Sequence, residues 1–152
     1  MYKLPNSPRA QEALDYASEE VKRLKRTFVG SEHLLLGILK LRQGFAPIVL
    51  EMMSVDPDAL IAKIESRLQT SDLMSDPGEA RYSLELYEVL NLAERDALEL
   101  ESKHIGTEHM LLGMLKDPTC GAAKTLASFG ISLAKAREVI IRIHSMPEYL
   151  TR

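Results

Sequence analysis

GSEHLLLGILK runs from Gly30 to Lys40, and GTEHMLLGMLK from Gly106 to Lys116. The two stretches begin 76 positions apart (106 − 30), and the same offset keeps residue types matched, without a gap, well beyond the quoted segment. Such a match marks an internal duplication. Before the first copy, Ala10, Ala13, Leu14, Ala17, Val21 and Leu24 form one apolar stripe of an amphipathic helix. Their counterparts are Leu86, Val89, Leu90, Ala93, Ala97 and Leu100, and the stripe recurs. Ser7 followed by Pro8 suits a helix start, because the hydroxyl accepts from free backbone amides and proline fits the first helical position. Ser83-Leu84 is the second copy of that start.

The quoted stretch itself predicts a short second helix, capped by Ser31 or Thr107. Leu34, Leu35, Leu36, Ile38 and Leu39 surround most of its circumference, so it should be buried. Gly37 and Gly113 sit inside it, where glycine costs about 1 kcal/mol relative to alanine, and close approach of another helix would account for both. A third helix is expected over 46–53 and 122–129, with Gly130 ending the second copy. A fourth starts at Asp56-Pro57 and at Ser132. The expected fold is all-α: two four-helix repeats, at about 7–68 and 83–144, joined by an exposed polar linker, 69–82, that contains Pro77 and Gly78. No segment alternates with period two, so no strands are expected.

With 152 residues, 45% apolar and 27% charged, the chain has the composition of a compact globular protein. A net charge of −3 lacks the basic excess that nucleic-acid binding needs. The lone Cys120 has no internal disulfide partner and no basic neighbour to activate it. The beginning of the sequence has no apolar signal core and no apolar run approaches a bilayer's span. These features point to a cytoplasmic protein with neither membrane nor nucleic acid among its partners, and no cofactor or metal is expected.

Glu32 and Glu108 fall in the first turn of each second helix, where free amides and the helix dipole create partial positive charge. One reading is that they complement that dipole. The other is that each guards a pocket suited to a group of both signs, the glutamate taking a cation and nearby helix N-termini an anion; phosphorylated arginine is such a group. Two pockets, each weak, would act through avidity.

The paired G-[ST]-E-H-x-L-L-G-x-L-K motif, the S-P-R-A at Ser7 to Ala10 and the G-A-A-K at Gly121 to Lys124 closely resemble the Clp N-terminal repeat domain of ATP-dependent unfoldases, above all the ClpC type. The resemblance covers about Ser7 to His144. It implies two four-helix repeats related by a pseudo-twofold axis, and a domain that binds protein substrates and adaptors above an ATPase ring. It also implies phosphoarginine recognition by Glu32 and Glu108, with Ser7 and Ser83 on the phosphate side beside Ser31 and Thr107. Ser83-Leu84-Glu85 departs from the family's usual T-P-R, and Glu85 is expected to add negative charge at the second pocket. Pro47 replaces a usual alanine and is expected to shift the start of the third helix.

Other features read as structural. His33 and His109 lack the H-E-x-x-H spacing of a metal-binding helix. Met52, Met53, Met110 and Met114 suit core filling. The KRLKR run, Lys22 to Arg26, suits a solvated helix end or an adaptor contact. The chain contains no G-x-x-x-x-G-K-[ST] loop, so it reads as a binding module, monomeric in isolation: the N-terminal domain of an unfoldase or a stand-alone regulator of the Clp protease. An enzyme pairing Glu32 with Glu108 would need both carboxylates at one substrate, whereas duplication gives each its own pocket.

Overall fold

The computed structural model describes residues 4–69 and 80–146. Its first four helices are α1 (Pro8–Arg23), α2 (Ser31–Leu41), α3 (Phe45–Met52) and α4 (Pro57–Gln69); the next four are α5 (Leu84–Glu99), α6 (Thr107–Lys116), α7 (Gly121–Ser128) and α8 (Leu133–His144). The starts of α1, α2, α3 and α4 return 76 positions later in α5, α6, α7 and α8. The Pro47 expectation fails here. α3 begins at Phe45 and α7 at Gly121, the same place in each copy, because a proline in the first turn of a helix lacks an N–H that would have had no helical partner anyway.

Local chemistry sets the helix ends. Ser7 Oγ accepts from Ala10 N–H at 3.1 Å and Ser83 Oγ from Leu86 N–H at 3.1 Å, so both serines cap the long first helices. Gly130, at φ +74°, turns the chain after α7 in the left-handed region that glycine tolerates. Along α1 the stripe from Ala10 to Val21 is buried, as is its mate along α5 at Leu86, Val89, Ala93 and Ala97. Leu34 to Leu36 and Met110 to Leu112 lie at the centre of one continuous core drawn from both halves. Gly37 and Gly113 are needed by close packing: a Cβ would stand 2.8 Å from the Ala13 carbonyl oxygen in one copy and 2.5 Å from that of Val89 in the other.

Strands do occur, contrary to the sequence expectation. β1 (Phe28–Val29) pairs in parallel with β2 (Arg81–Tyr82), and Asn6 bridges Ile105 in the same sense. Two residues are too few to show alternation, so periodicity could not reveal them. Adding 76 to Asn6 and subtracting it from Ile105 gives Tyr82 and Val29, so the bridge and the strand pair are pseudo-symmetric mates. The lead-in to each first helix thus lies beside the turn of the opposite half. Of the proposed linker, 70–79 lie outside the described residues; Ala80 packs on the core and Arg81 and Tyr82 form β2.

The halves also exchange helices. Thr107 Oγ1 accepts from Ala46 N–H at 3.0 Å, capping α3, and Ser31 Oγ accepts from Ala122 N–H at 3.0 Å, capping α7. Neither residue caps its own helix. That position belongs to Gly30 and Gly106, whose backbone N–H groups donate to His33 Nδ1 (3.0 Å) and His109 Nδ1 (2.9 Å) in half of a capping box. No single helix among the described residues is long and apolar enough to cross a membrane.

Candidate functional site

A pocket guarded by each glutamate would need the N-termini of the second helices to lie open. Instead Ser31, Thr107 and Glu108 are buried, because α7 and α3 of the opposite halves close over them. Glu32 is partly covered, its Oε2 accepting from Arg67 Nε at 2.9 Å, and its carboxyl lies against Gly121 so closely that a Cβ at that position would require the carboxylate to move. Glu108 is 3% exposed, folded back onto Gly106, with Oε2 at 2.7 Å from His144 Nε2. Its Oε1 is buried without a hydrogen-bond partner among the described residues.

The recesses are shared between repeats, which corrects the expectation that each glutamate opens a pocket within its own copy. Ser83 and Glu85 begin the second copy, yet Glu85 reaches Ser31 and Gly121 and so belongs with Glu32, not with Glu108. Sequence spacing gave no hint of this, since the contact crosses the duplication. The only available signal was the broken symmetry of charge, Arg9 in one copy against Glu85 in the other. Ser7 stands in the complementary place, and both Ser7 and Ser83 use their oxygens as helix caps.

Glu108, His109 and His144 form a group whose potential ligand atoms all lie within 4.8 Å of one another. The hydrogen bonds argue against a metal. Because His109 Nδ1 accepts from Gly106, its proton sits on Nε2, which faces Ser102 Oγ at 3.2 Å. A metal on Nε2 would force that proton onto Nδ1 and break the α6 cap. Burial pushes the His109 imidazole below its ordinary pKa and that of His33 down to about 4, so both remain neutral acceptors near neutral pH.

Several residues outside the motif also differ from expectation. Arg26, in the supposedly solvated KRLKR run, is buried and donates from Nη2 to the Leu68 carbonyl at 2.7 Å, tying the end of α1 to α4. Asp96, fully buried, takes Lys116 Nζ at 2.5 Å and Arg137 Nη1 at 3.2 Å. Met110 and Met114 fill the core, whereas Met52 is exposed. Cys120 is buried, its Sγ accepting from Ala123 N–H at 3.3 Å, and burial raises its thiol pKa. Two surface hollows have neither Glu32 nor Glu108 in their lining. One, of about 160 Å³, lies among Glu20, Arg23, Arg26 and Glu65. The other, of about 420 Å³, is lined by Phe28, Ala80, Arg81, Tyr82 and Tyr87 beside the strand pair.

This architecture, with its doubled E-H motif, matches the Clp repeat N-terminal domain over residues 6–143, and the chain belongs to that family. It is 33% identical over 140 residues to ClpC, an ATP-dependent Clp protease ATP-binding subunit of Staphylococcus aureus (strain USA300). That match spans 92% of the chain but 17% of the relative. Among solved structures, the Hsp104 N-terminal domain from Candida albicans superposes with a TM-score of 0.79 at 15% identity, over 93% of this chain and 92% of that one. A ClpV N-domain in complex with a VipB peptide gives 0.74 at 19% identity, covering 90% and 86%. These two likenesses concern the fold.

Proposed function

We propose that this chain, organised as repeats at about 7–68 and 83–144, is a protein-binding receptor domain that presents substrates and adaptors to a ClpC-type unfoldase. The reading rests on membership of the Clp repeat family across nearly the whole chain. The surface supports it. Phe28 and Tyr87 are 48% and 54% exposed, and with Tyr82 they line an aromatic hollow of the kind that marks protein contact surfaces. The ClpV N-domain solved with a VipB peptide provides a precedent for peptide binding on this fold.

Phosphoarginine is the finer version of this function. The residues it would use are Glu32, Glu108, Ser7, Ser83, Ser31 and Thr107. In the described conformation Arg67 holds Glu32 and His144 holds Glu108, so a phosphoarginine guest has to displace one of them, whereas docking at the aromatic hollow needs no such rearrangement.

Binding of a fluorescent, permanently unfolded protein, with and without phosphorylated arginines, tests both levels. The receptor reading expects saturable binding that weakens in Phe28→Ser/Tyr87→Ser at unchanged helicity. If neither probe binds, the receptor reading is lost. If the two bind alike, and Glu32→Ala/Glu108→Ala changes nothing, only the phosphoarginine version is lost.

A further inference from the structure

The recess around Gly121 already contains an anion, and the chain supplies it. Ser31 N–H and Ser31 Oγ–H both donate to Glu85 Oε1, at 3.0 and 2.6 Å, and Gly121 N–H donates to Glu85 Oε2 at 3.2 Å. Ser31 and Gly121 are the first residues of α2 and α7, so one carboxylate bridges the N-termini of two helices from opposite repeats. Orphan amides at such ends favour negative charge. A carboxylate held by three donors, two of them backbone amides, meets that preference without any external ligand.

The other half is built differently. At the position equivalent to Glu85 stands Arg9, exposed, with Nη1 donating to Gln43 Oε1 at 2.7 Å and pairing with Glu12 Oε1 at 3.2 Å. Among the charged side chains described here, the recess at Gly121 therefore holds Glu85 and Glu32, with Arg67 on the latter. A second anion entering it would displace the Glu85 carboxylate and lie against that of Glu32.

We infer that Glu85 is a specificity-determining residue: its carboxylate is a tethered ligand for the joined N-termini of α2 and α7, and it makes this recess refuse phosphate-type groups from outside. The inference restricts the phosphoarginine version of the proposed function to the Arg9 side of the molecule. It leaves the receptor reading untouched, because docking at Phe28 and Tyr87 does not involve Glu85.

Amide NMR of the wild type, Glu85→Ala, Glu85→Gln and Glu85→Arg, titrated with phosphoarginine and separately with inorganic phosphate, tests it. Wild type should show no saturable shift of the Ser31 and Gly121 amides at about 1 mM ligand, a regime in which a single weak anion contact would be visible. Glu85→Ala should show saturable shifts centred on those two amides, with affinity gained by about tenfold or more. Glu85→Arg, which gives this half its counterpart's residue, should gain most. Glu85→Gln keeps an acceptor for Ser31 without the charge, and so reports even if the alanine variant is poorly folded. Response to inorganic phosphate alone shows that the refusal concerns the phosphate group; response only to phosphoarginine would overturn that assignment. Saturable wild-type shifts at Ser31 and Gly121, or folded variants as silent as wild type, would overturn the inference altogether.

Discussion

Ser31 Oγ lies 3.0 Å from the backbone nitrogen of Ala122, a residue 91 positions away in the opposite repeat, and caps a helix that is not its own. Thr107 does the same for Ala46 at 3.0 Å. Both hydroxyls are buried, so removing either strands an amide in the core. Ser31→Ala and Thr107→Val should each cost about 1–3 kcal/mol of stability, measurable as a shift of the urea midpoint. Because the caps cross between halves, chemical unfolding should remain one transition in both variants. Separate transitions for 7–68 and 83–144 would contradict the exchange.

Gly113→Ala should destabilise more than Gly37→Ala. The added methyl gains about 1 kcal/mol of helix propensity, but it meets a backbone oxygen at 2.5 Å in the first case and 2.8 Å in the second. Overpacking of this kind costs about 1–3 kcal/mol, enough to reverse the propensity gain. Thermal melting of the two variants checks the order.

His33 gives the fold an acid limit. Burial holds its folded-state pKa near 4, below the ordinary imidazole value of 6.5, so the folded protein resists a proton that the unfolded chain accepts. The stability this supplies is complete above about pH 6.5 and is lost as the pH falls toward 4, by up to ~3 kcal/mol. Denaturant midpoints at pH 7 and pH 5 should differ in that direction. His33→Gln keeps an acceptor for Gly30 N–H and does not titrate, so it should flatten the dependence.

Asp96 is wholly buried between Lys116 and Arg137, both partly exposed. Asp96→Ala removes the shared counter-ion and should cost about 3 kcal/mol, chiefly by stranding Lys116, since Arg137 keeps its pair with Glu99. Lys116→Met should be milder, since Arg137 still holds the carboxylate. Comparison of the two melting temperatures decides.

The helices were legible because each depends on near neighbours: the Ala10 to Val21 stripe, the Ser7 and Ser83 caps, and Asp56 and Ser132 before the fourth helices. Gly37 and Gly113 even announced the close crossing. What the stripe could not convey was the identity of the partner face. Burial of Ser31 and Thr107 follows from packing across the duplication, which no local spacing encodes, and for the same reason sequence alone points Glu85 to the wrong recess. Glu32 and Glu108 were found as first-turn acids, but their engagement with Arg67 and His144 depends on the fourth helices folding back over the second.

The mated bridges at Asn6–Ile105 and Val29–Tyr82 mean that each half completes its twin in an identical manner. A polypeptide carrying just one copy could recreate these contacts only by pairing with another molecule of itself, in the isologous manner of a twofold homodimer, and its folding would then vary with concentration. Joining the copies in one chain removes that dilution penalty. It also frees the twins to diverge, which is how one side can carry Arg9 where the other carries Glu85.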